Sequence, residues 1–442
     1  MNLILKNSII LSIGLLLGRF SGYIRELVIA EKFGISRIAD ITILSLTTPD
    51  LVNSFISTGI LTAVLLPKIN SQKNKTDMTP IISQVLSITV ACFVIFSLIA
   101  PFIFPLEILP FIFIGMLSIF PNSYTSSFAT YLTLNRKFTM QSLGTLIFNS
   151  ILIVGLVIFS NPFLIASMIL FSGITRSIIF SKILKKDGYL YSIKHSISFK
   201  NLLSAMKRNK PLLIAIFGNG IIFMNPIIDK LIAADFPEGS VAILSFAEKM
   251  YLLPVSIIMT TYPVAMYPHL VDAIVESNFK STIQVLSKSI FITCILGTII
   301  GIAYFLGSHF IVQIIFGITS LTMQNLESIN MTTRGYIIAI SLSGITLIST
   351  NLLFALKQEK LIAIFSIIAV FINYIGDIIV LKQTQSIFQI AWITSMTSIF
   401  YFLLTGTSGV WLLYKIRQKW QNTSEKYKIN RSAIALKLET EK

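Results

Sequence analysis

Charged residues are scarce in this chain, at 12% of its 442 residues, whereas hydrophobic residues make up 54%. A soluble globular domain is roughly one quarter charged. The mean hydropathy of +0.81 reflects the same deficit. This composition excludes a soluble enzyme with one hydrophobic core, and it is typical of a polytopic membrane protein.

Cysteine and histidine are also rare, with two and three residues respectively. Cys92 and Cys294 lie in separate apolar runs, so they cannot form a disulfide framework or a metal cluster. The three histidines lie far apart in the sequence and form no ligand pattern. The phosphate-binding motif G-x-x-x-x-G-K-[ST] is absent as well. We therefore expect no metal, no cofactor and no catalytic residue.

Long apolar runs, by contrast, fill most of the chain. About 20 apolar residues are needed for a helix to cross a hydrocarbon layer of about 30 Å. The runs are too long and too uniformly apolar for the strands of a barrel, so the sequence predicts an all-α polytopic membrane protein. We predict twelve transmembrane helices, at approximately 4–30, 37–66, 80–104, 108–133, 138–160, 163–184, 208–235, 240–270, 282–308, 330–356, 361–381 and 386–414.

Acidic residues are outnumbered, with 19 Asp and Glu against 35 Lys and Arg, which gives a net charge of +16. Such a charge would suggest a nucleic-acid partner in a soluble protein. Here the basic residues concentrate in loops on one side of the predicted bundle. The positive-inside rule places that side, and with it both termini, in the cytoplasm. The charge therefore requires no nucleic acid.

The basic loop near the middle of the chain predicts the domain organisation. We expect an N-terminal lobe of six helices at 1–184, a cytoplasmic linker at 185–207, a second six-helix lobe at 208–414 and a cytoplasmic tail at 415–442. Two such lobes around a central cavity are typical of transporters, whose sites lie between repeated halves. Nothing in the sequence defines the oligomeric state, and a monomer is expected.

Charges inside the spans are the strongest functional signal, because a charge at the bilayer centre costs roughly 3 kcal/mol or more. Most of them occur in the first two helices of each half. They are Arg19, Arg25, Asp40 and Asp50 in the first half and Asp229, Lys230, Glu248 and Lys249 in the second. One interpretation is a cationic cavity for an anionic substrate, since the planar guanidinium of arginine binds phosphate bidentately. The alternative is that Arg19 and Arg25 only pair with Asp40 and Glu26 to hold the bundle together.

Two segments resemble one known family. The first half contains "GRFSGYIREL", "FGISRIADITILSLTTPDLVNSFISTGILTAVLLPKI", and the second contains "NPIIDKLIAADFPEGSVAILSFAEKMYLLPVSIIMTTYPVAMYPHL". Both are similar to segments of the MurJ/MviN lipid II flippases, in the multidrug/oligosaccharidyl-lipid/polysaccharide exporter superfamily. The resemblance covers residues 1 to about 415. It implies a V-shaped bundle with a central cavity that carries an undecaprenyl-pyrophosphate-linked peptidoglycan precursor outward by alternating access, in the bacterial inner membrane.

The resemblance also implies the site residues. Arg19, Arg25 and Asp40 match cavity positions of the family, and Lys249 and Glu248 lie where it usually has Arg and Asp. Asn53 and Asp50 stand where the family has a basic residue and an asparagine, so they are secondary candidates, together with Asp229 and Lys230.

The chain also looks like a short form of the family. The resemblance implies that the two further helices of common members, which form a groove for the prenyl tail, are missing after the twelfth predicted helix.

The function expected from these features is a flippase for a lipid-linked saccharide pyrophosphate, foremost lipid II. Three alternatives remain open at this point. They are a flippase for another polysaccharide repeat unit, a cation-coupled drug exporter of the same superfamily and a membrane-embedded transferase. A drug exporter would favour acidic and aromatic cavity residues, and a transferase would need a catalytic acid, base or metal pair.

Overall fold

The computed structural model describes residues 3–54, 78–134, 138–188 and 224–440, and over these ranges the chain is helical, without strands. The helices of the first half are α1 (Leu3–Phe33), α2 (Arg37–Ser54), α3 (Thr79–Ile103), α4 (Leu109–Met116), α5 (Ile119–Leu134), α6 (Phe138–Ile158) and α7 (Pro162–Lys186). Those of the second half are α8 (Asn225–Ala233), α9 (Ser240–Pro254), α10 (Thr261–Val275), α11 (Phe279–Phe316), α12 (Met323–Gly335), α13 (Ile337–Ala355), α14 (Glu359–Gln383) and α15 (Ile387–Thr440).

The all-α membrane fold expected from the sequence is confirmed. Each predicted span contains a helix or a pair of consecutive helices within the described ranges. Among the described residues, six helical segments are long and apolar enough to cross a membrane by themselves: Val85–Ile103, Pro162–Lys186, Phe279–Phe316, Met323–Ala355, Glu359–Gln383 and Ile387–Gln418. Residues 189–207 of the predicted linker lie outside the described residues, so the domain division stays a prediction. The helix of the last span continues through the predicted tail to Thr440.

The eighth predicted span is broken by a change of helix type. Pro254 ends α9, and a π-helical turn over Val255–Met259 joins it to α10. Proline has no backbone N–H, so the carbonyl of Met250 loses its helical donor. The Tyr304 hydroxyl donates to that carbonyl at 2.8 Å instead. A π turn at such a break leaves carbonyls free to face neighbouring groups.

Small residues bring the helices of the first half close together. A Cβ added to Gly18 of α1 would lie 3.1 Å from the Cβ of Thr145 on α6. A Cβ on Gly115 of α4 would lie 2.5 Å from the backbone oxygen of Ser45 on α2. Small residues allow this approach in membrane bundles. The first contact positions α6 beside the arginines of α1.

Candidate functional site

A cavity of about 780 Å³ lies between α1, α2, α6, α7 and α9. Its charged lining residues among those described are Arg19, Arg25, Asp50, Arg176 and Lys249. Four cations against one carboxylate leave a formal excess of three positive charges on the described wall. Such a surface attracts anions and repels cations.

Arg25 is held inside the wall by two neighbours. It is 9% exposed. Its Nη1 donates to Asn149 Oδ1 on α6 at 3.1 Å, and its Nη2 donates to Glu26 Oε1 at 2.9 Å. The Nε atom is buried and has no hydrogen-bond partner among the described residues. The guanidinium is therefore fixed in place, and its Nε–H remains available as a donor to a ligand.

Glu26 connects the two halves of the protein. Its Oε1 lies 2.9 Å from Arg25 Nη2 and 3.8 Å from Lys249 Nζ, and its side chain is buried. Because α1 carries Glu26 and α9 carries Lys249, one carboxylate is shared by cations from both halves. Only part of the positive charge of this cluster is neutralised.

Arg19 makes a second contact between the halves. Its side chain is exposed in the cavity, and Nη1 donates to the backbone carbonyl of Ser256 at 2.7 Å. Ser256 lies in the π turn after Pro254. The break in the eighth span thus supplies the acceptor for Arg19.

Sequence reasoning missed Arg176, which lines the same cavity from α7. The guanidinium carbon lies 5.0 Å from the centre of the Phe148 ring, and Nη2 donates to Asn122 Oδ1 at 2.5 Å. A single arginine in the middle of an apolar span is a functional signal in its own right. That signal was present in the sequence but was overshadowed by the charge clusters at the start of each half.

Asp40 was predicted to line the cavity, but the structure places it at the junction between α2 and α9. Its carboxylate accepts hydrogen bonds from the backbone N–H groups of Gly239 and Ala242, each at 2.8 Å. The first turn of a helix has unpaired N–H groups, and Gly239 at the N-cap of α9 has no side chain to satisfy them. Asp40 therefore caps α9 from another helix rather than pairing with Arg25.

Further contacts between the start of α2 and residues 234–242 flank Asp40. Gly239 has a positive φ of +84°, and a Cβ there would lie 2.0 Å from a side-chain carbon of Ile35. Arg37 Nη1 donates to the carbonyl of Ala234 at 3.4 Å. We call the contacts made by Ile35, Arg37 and Asp40 with residues 234–242 the α2–α9 seal.

Glu248 and Lys230 also lie away from the cavity wall, where they form a buried ion pair with each other. Glu248 and Lys249 are neighbours in sequence, but on a helix they point in different directions, so only Lys249 reaches the cavity. The prediction that Glu248 lines the cavity is corrected accordingly. Of the other secondary candidates, Asp50 lines the cavity, whereas Asn53 is half-buried and is not among the lining residues.

Asp229 belongs to a buried cluster of oxygen atoms on α8, α14 and α15. The Asn373 amide donates to Asp229 Oδ1 at 2.6 Å and to Asp377 Oδ2 at 3.0 Å, and the Thr394 hydroxyl donates to Asp229 Oδ2 at 2.8 Å. Asp377 Oδ1 and Asn373 Oδ1 have no partner among the described residues. Two buried carboxylates this close are stable only with a shared proton or a bound cation between them.

The family model described as lipid II flippase MurJ matches residues 29–435. The chain belongs to the lipid II flippase MurJ family. Members of this family are membrane transporters and not enzymes.

Relatives within the MurJ family are distant. The chain is 24% identical over 277 residues to a "Probable lipid II flippase MurJ" of Aquifex aeolicus (strain VF5), which covers 57% of this chain and 54% of the relative. It is 22% identical over 338 residues to a protein of the same description from Rickettsia prowazekii (strain Madrid E), covering 70% of this chain and 65% of the relative. The matches thus span less than two thirds of the curated relatives' own length.

Solved structures share the fold. A lipid II flippase MurJ in an inward closed conformation superposes with a TM-score of 0.74 at 19% identity, over 93% of this chain and 91% of that one. A transporter of the MOP superfamily from Pyrococcus furiosus superposes with a TM-score of 0.62 at 13% identity, over 93% of this chain and 96% of that one. At these identities the likeness extends to the fold alone.

Proposed function

We propose that the protein is a flippase for an undecaprenyl-pyrophosphate-linked saccharide, foremost lipid II. It moves the head group from the cytoplasmic to the outer leaflet of the bacterial plasma membrane. Membership of the MurJ family supports this assignment. The single observation that carries it is the cavity wall with four cations and one carboxylate among its described residues, because a pyrophosphate is a dense anion.

The proposed mechanism is alternating access. With both termini in the cytoplasm, the α2–α9 seal closes the outer face, and the cavity faces inward. Arg19, Arg25 and Lys249 draw in the pyrophosphate, while the prenyl tail stays in lipid. Binding competes with the contacts that these cations make to Glu26 and to the Ser256 carbonyl, both of which join the two halves. Loosening them lets the halves move and the seal open.

The membrane potential favours this direction of transport. An inside-negative potential drives an anion outward with about 2.3 kcal/mol per charge per 100 mV. Protein charges that move with the substrate reduce this contribution. The buried Asp229–Asp377 pair offers a second means of coupling transport to an ion gradient, because two neighbouring buried carboxylates favour binding of a proton or a cation.

A flippase for another polysaccharide repeat unit fits the cavity equally well, since the pyrophosphate is common to both substrates. The charge of the wall disfavours a drug exporter for organic cations.

Transport in proteoliposomes separates these functions. The purified full chain is reconstituted, and head-group translocation is measured for lipid II, for a second undecaprenyl-pyrophosphate saccharide and for an organic cation. We expect transport of one or both lipids and none of the cation. Complementation of a strain depleted of its lipid II flippase then tests the peptidoglycan substrate. Transport of the cation alone would overturn the proposal.

A further inference from the structure

Arg25 and Arg176 line the same cavity, and each is anchored on α6. Asn149 of α6 accepts a hydrogen bond from Arg25 at 3.1 Å. The preceding residue, Phe148, carries the guanidinium of Arg176 over its ring at 5.0 Å. Consecutive residues of one helix therefore anchor two guanidinium groups that come from different helices, α1 and α7, and both groups line the cavity.

Each of these guanidiniums keeps hydrogen-bonding capacity. An arginine has five N–H donors. The described contacts of Arg176 use one of them, to Asn122 Oδ1, and its Nε is buried without a partner among the described residues. The Phe148 ring, 5.0 Å from the guanidinium carbon, and the hydrogen bond to Asn122 hold the group in place. Fixed planar groups lose little entropy when they bind an oxyanion, so Arg176 is preorganised for phosphate.

Asp50 supplies the negative charge of this wall. It lines the cavity and interacts electrostatically with both Arg25 and Arg176. A carboxylate near two guanidiniums offers them an internal counter-ion. A ligand with more negative charge and more acceptor oxygens than one carboxylate can displace it.

We infer that Arg25 and Arg176 form a two-guanidinium clamp for a diphosphate, in which each guanidinium binds one of the two phosphate groups. Arg176 is thus a specificity-determining residue that distinguishes diphosphate-linked lipids from monophosphate-linked ones. Asp50 is an internal counter-ion of the clamp that the diphosphate displaces. The inference rests on the proposed function for its lipid substrate, but the clamp itself can be tested with inorganic ions.

The test measures binding of inorganic pyrophosphate and orthophosphate to the purified full chain by calorimetry. The variants are Arg176→Gln, Arg176→Lys, Asp50→Asn and the control Arg334→Gln. Arg334 is another half-buried arginine of a membrane helix, and it donates to Ser308 away from the cavity. Thermal melting of each variant checks that it is folded.

The wild-type protein should bind pyrophosphate at least about tenfold more tightly than orthophosphate. Loss of charge-assisted hydrogen bonds in Arg176→Gln should weaken pyrophosphate binding about 10- to 100-fold, with less than about threefold change for orthophosphate. Arg176→Lys keeps the charge but loses the planar set of donors. Its affinity for pyrophosphate should therefore lie between those of the wild type and Arg176→Gln. Arg334→Gln should bind like wild type, and Asp50→Asn should bind both ions more tightly.

Three results would overturn the clamp. They are a wild-type protein without preference for pyrophosphate, an Arg176→Gln variant with unchanged pyrophosphate affinity, and equal losses for both ions. Should Arg176→Gln fail to fold, retention of full pyrophosphate preference by Arg176→Lys would count against the clamp in the same way.

Transport of prenyl-diphosphate and prenyl-monophosphate disaccharides by the same proteins in proteoliposomes distinguishes the clamp from the proposed function. A wild-type protein that binds pyrophosphate through Arg176 but moves neither lipid refutes the flippase function and leaves the clamp in place. Equal diphosphate-lipid transport by wild type and Arg176→Gln refutes the clamp and leaves the flippase function in place.

Discussion

The carboxylate of Asp40 accepts a hydrogen bond from the backbone N–H of Gly239 at 2.8 Å, although 199 positions separate the two residues in the chain. This contact joins α2 to the first turn of α9, where glycine has no side chain to cap the helix. An aspartate has a favourable charge for the positive end of a helix. The junction between the two halves therefore depends on a cap supplied from the opposite half.

Replacement of Asp40 by alanine should weaken the α2–α9 seal. Loss of a helix cap costs about 0.5–2 kcal/mol, which would raise the open population up to about 30-fold. A cysteine at Val241, which is 0% exposed, reports this opening in a protein without Cys92 and Cys294. Its labelling rate should rise in Asp40→Ala but little in Arg37→Ala, whose contact to Ala234 is 3.4 Å long. Equal rates in both variants would contradict the capping role.

Arg25→Ala should abolish transport while the protein still inserts into the membrane. Arg25→Lys should retain partial activity, because the planar geometry of the guanidinium matters as well as its charge. A purely structural role is distinguished by a double variant. Since Glu26, not Asp40, pairs with Arg25 at 2.9 Å, the double variant is Arg25→Ala with Glu26→Gln. It should recover thermal stability but not transport. Full transport by the double variant at matched protein levels would rule out substrate binding by Arg25.

Lys230 and Glu248 form a buried ion pair, with side chains 4% and 7% exposed. Removing one partner strands the other charge and costs about 3–5 kcal/mol. Lys230→Met and Glu248→Gln should therefore each lower the thermal midpoint of the purified protein markedly. The double variant should recover most of the loss, because no buried charge remains unpaired. A double variant that sums the two single losses would show that each side chain acts through other contacts.

The pair of Asp229 and Asp377 should make stability depend on cations. A ligand that binds only the folded state raises the thermal midpoint with its concentration. Midpoints are compared in Na⁺ and in choline at equal ionic strength and fixed pH, for wild type and for Asp377→Asn. We expect a higher midpoint in Na⁺ for wild type and no difference for the variant. Equal midpoints for wild type in both salts would favour a shared proton instead.

The topology can be checked by thiol labelling. Single cysteines at positions 195 and 430 should resist an impermeant reagent in intact cells, and cysteines at Gln385 and Pro237, both exposed, should react. The expectation follows from the basic residues of the 185–210 loop and the tail. Reaction of the first pair would reverse the assignment of the two faces.

Part of the candidate site could be predicted from sequence because a charge in an apolar helix is conspicuous. This pattern, together with the family resemblance, predicts Arg19, Arg25 and Lys249 for the cavity, and they line it. The partners of these charges could not be predicted. Glu248 pairs with Lys230 rather than with a cavity cation, because the rotation of α9 directs neighbouring residues to different sides.

The sequence by itself determined the fold class, since apolar runs of spanning length can satisfy their backbone in lipid only as helices. It also determined which spans carry charge. Only the tertiary structure decided that Arg176 joins Arg25 on one wall and that Asp40 caps α9. These arrangements depend on how helices far apart in the chain approach each other. That approach is set by small residues such as Gly18, which let two helices come close, and by the break after Pro254, which changes the helix geometry. Neither feature can be recognised from the pattern of charged residues.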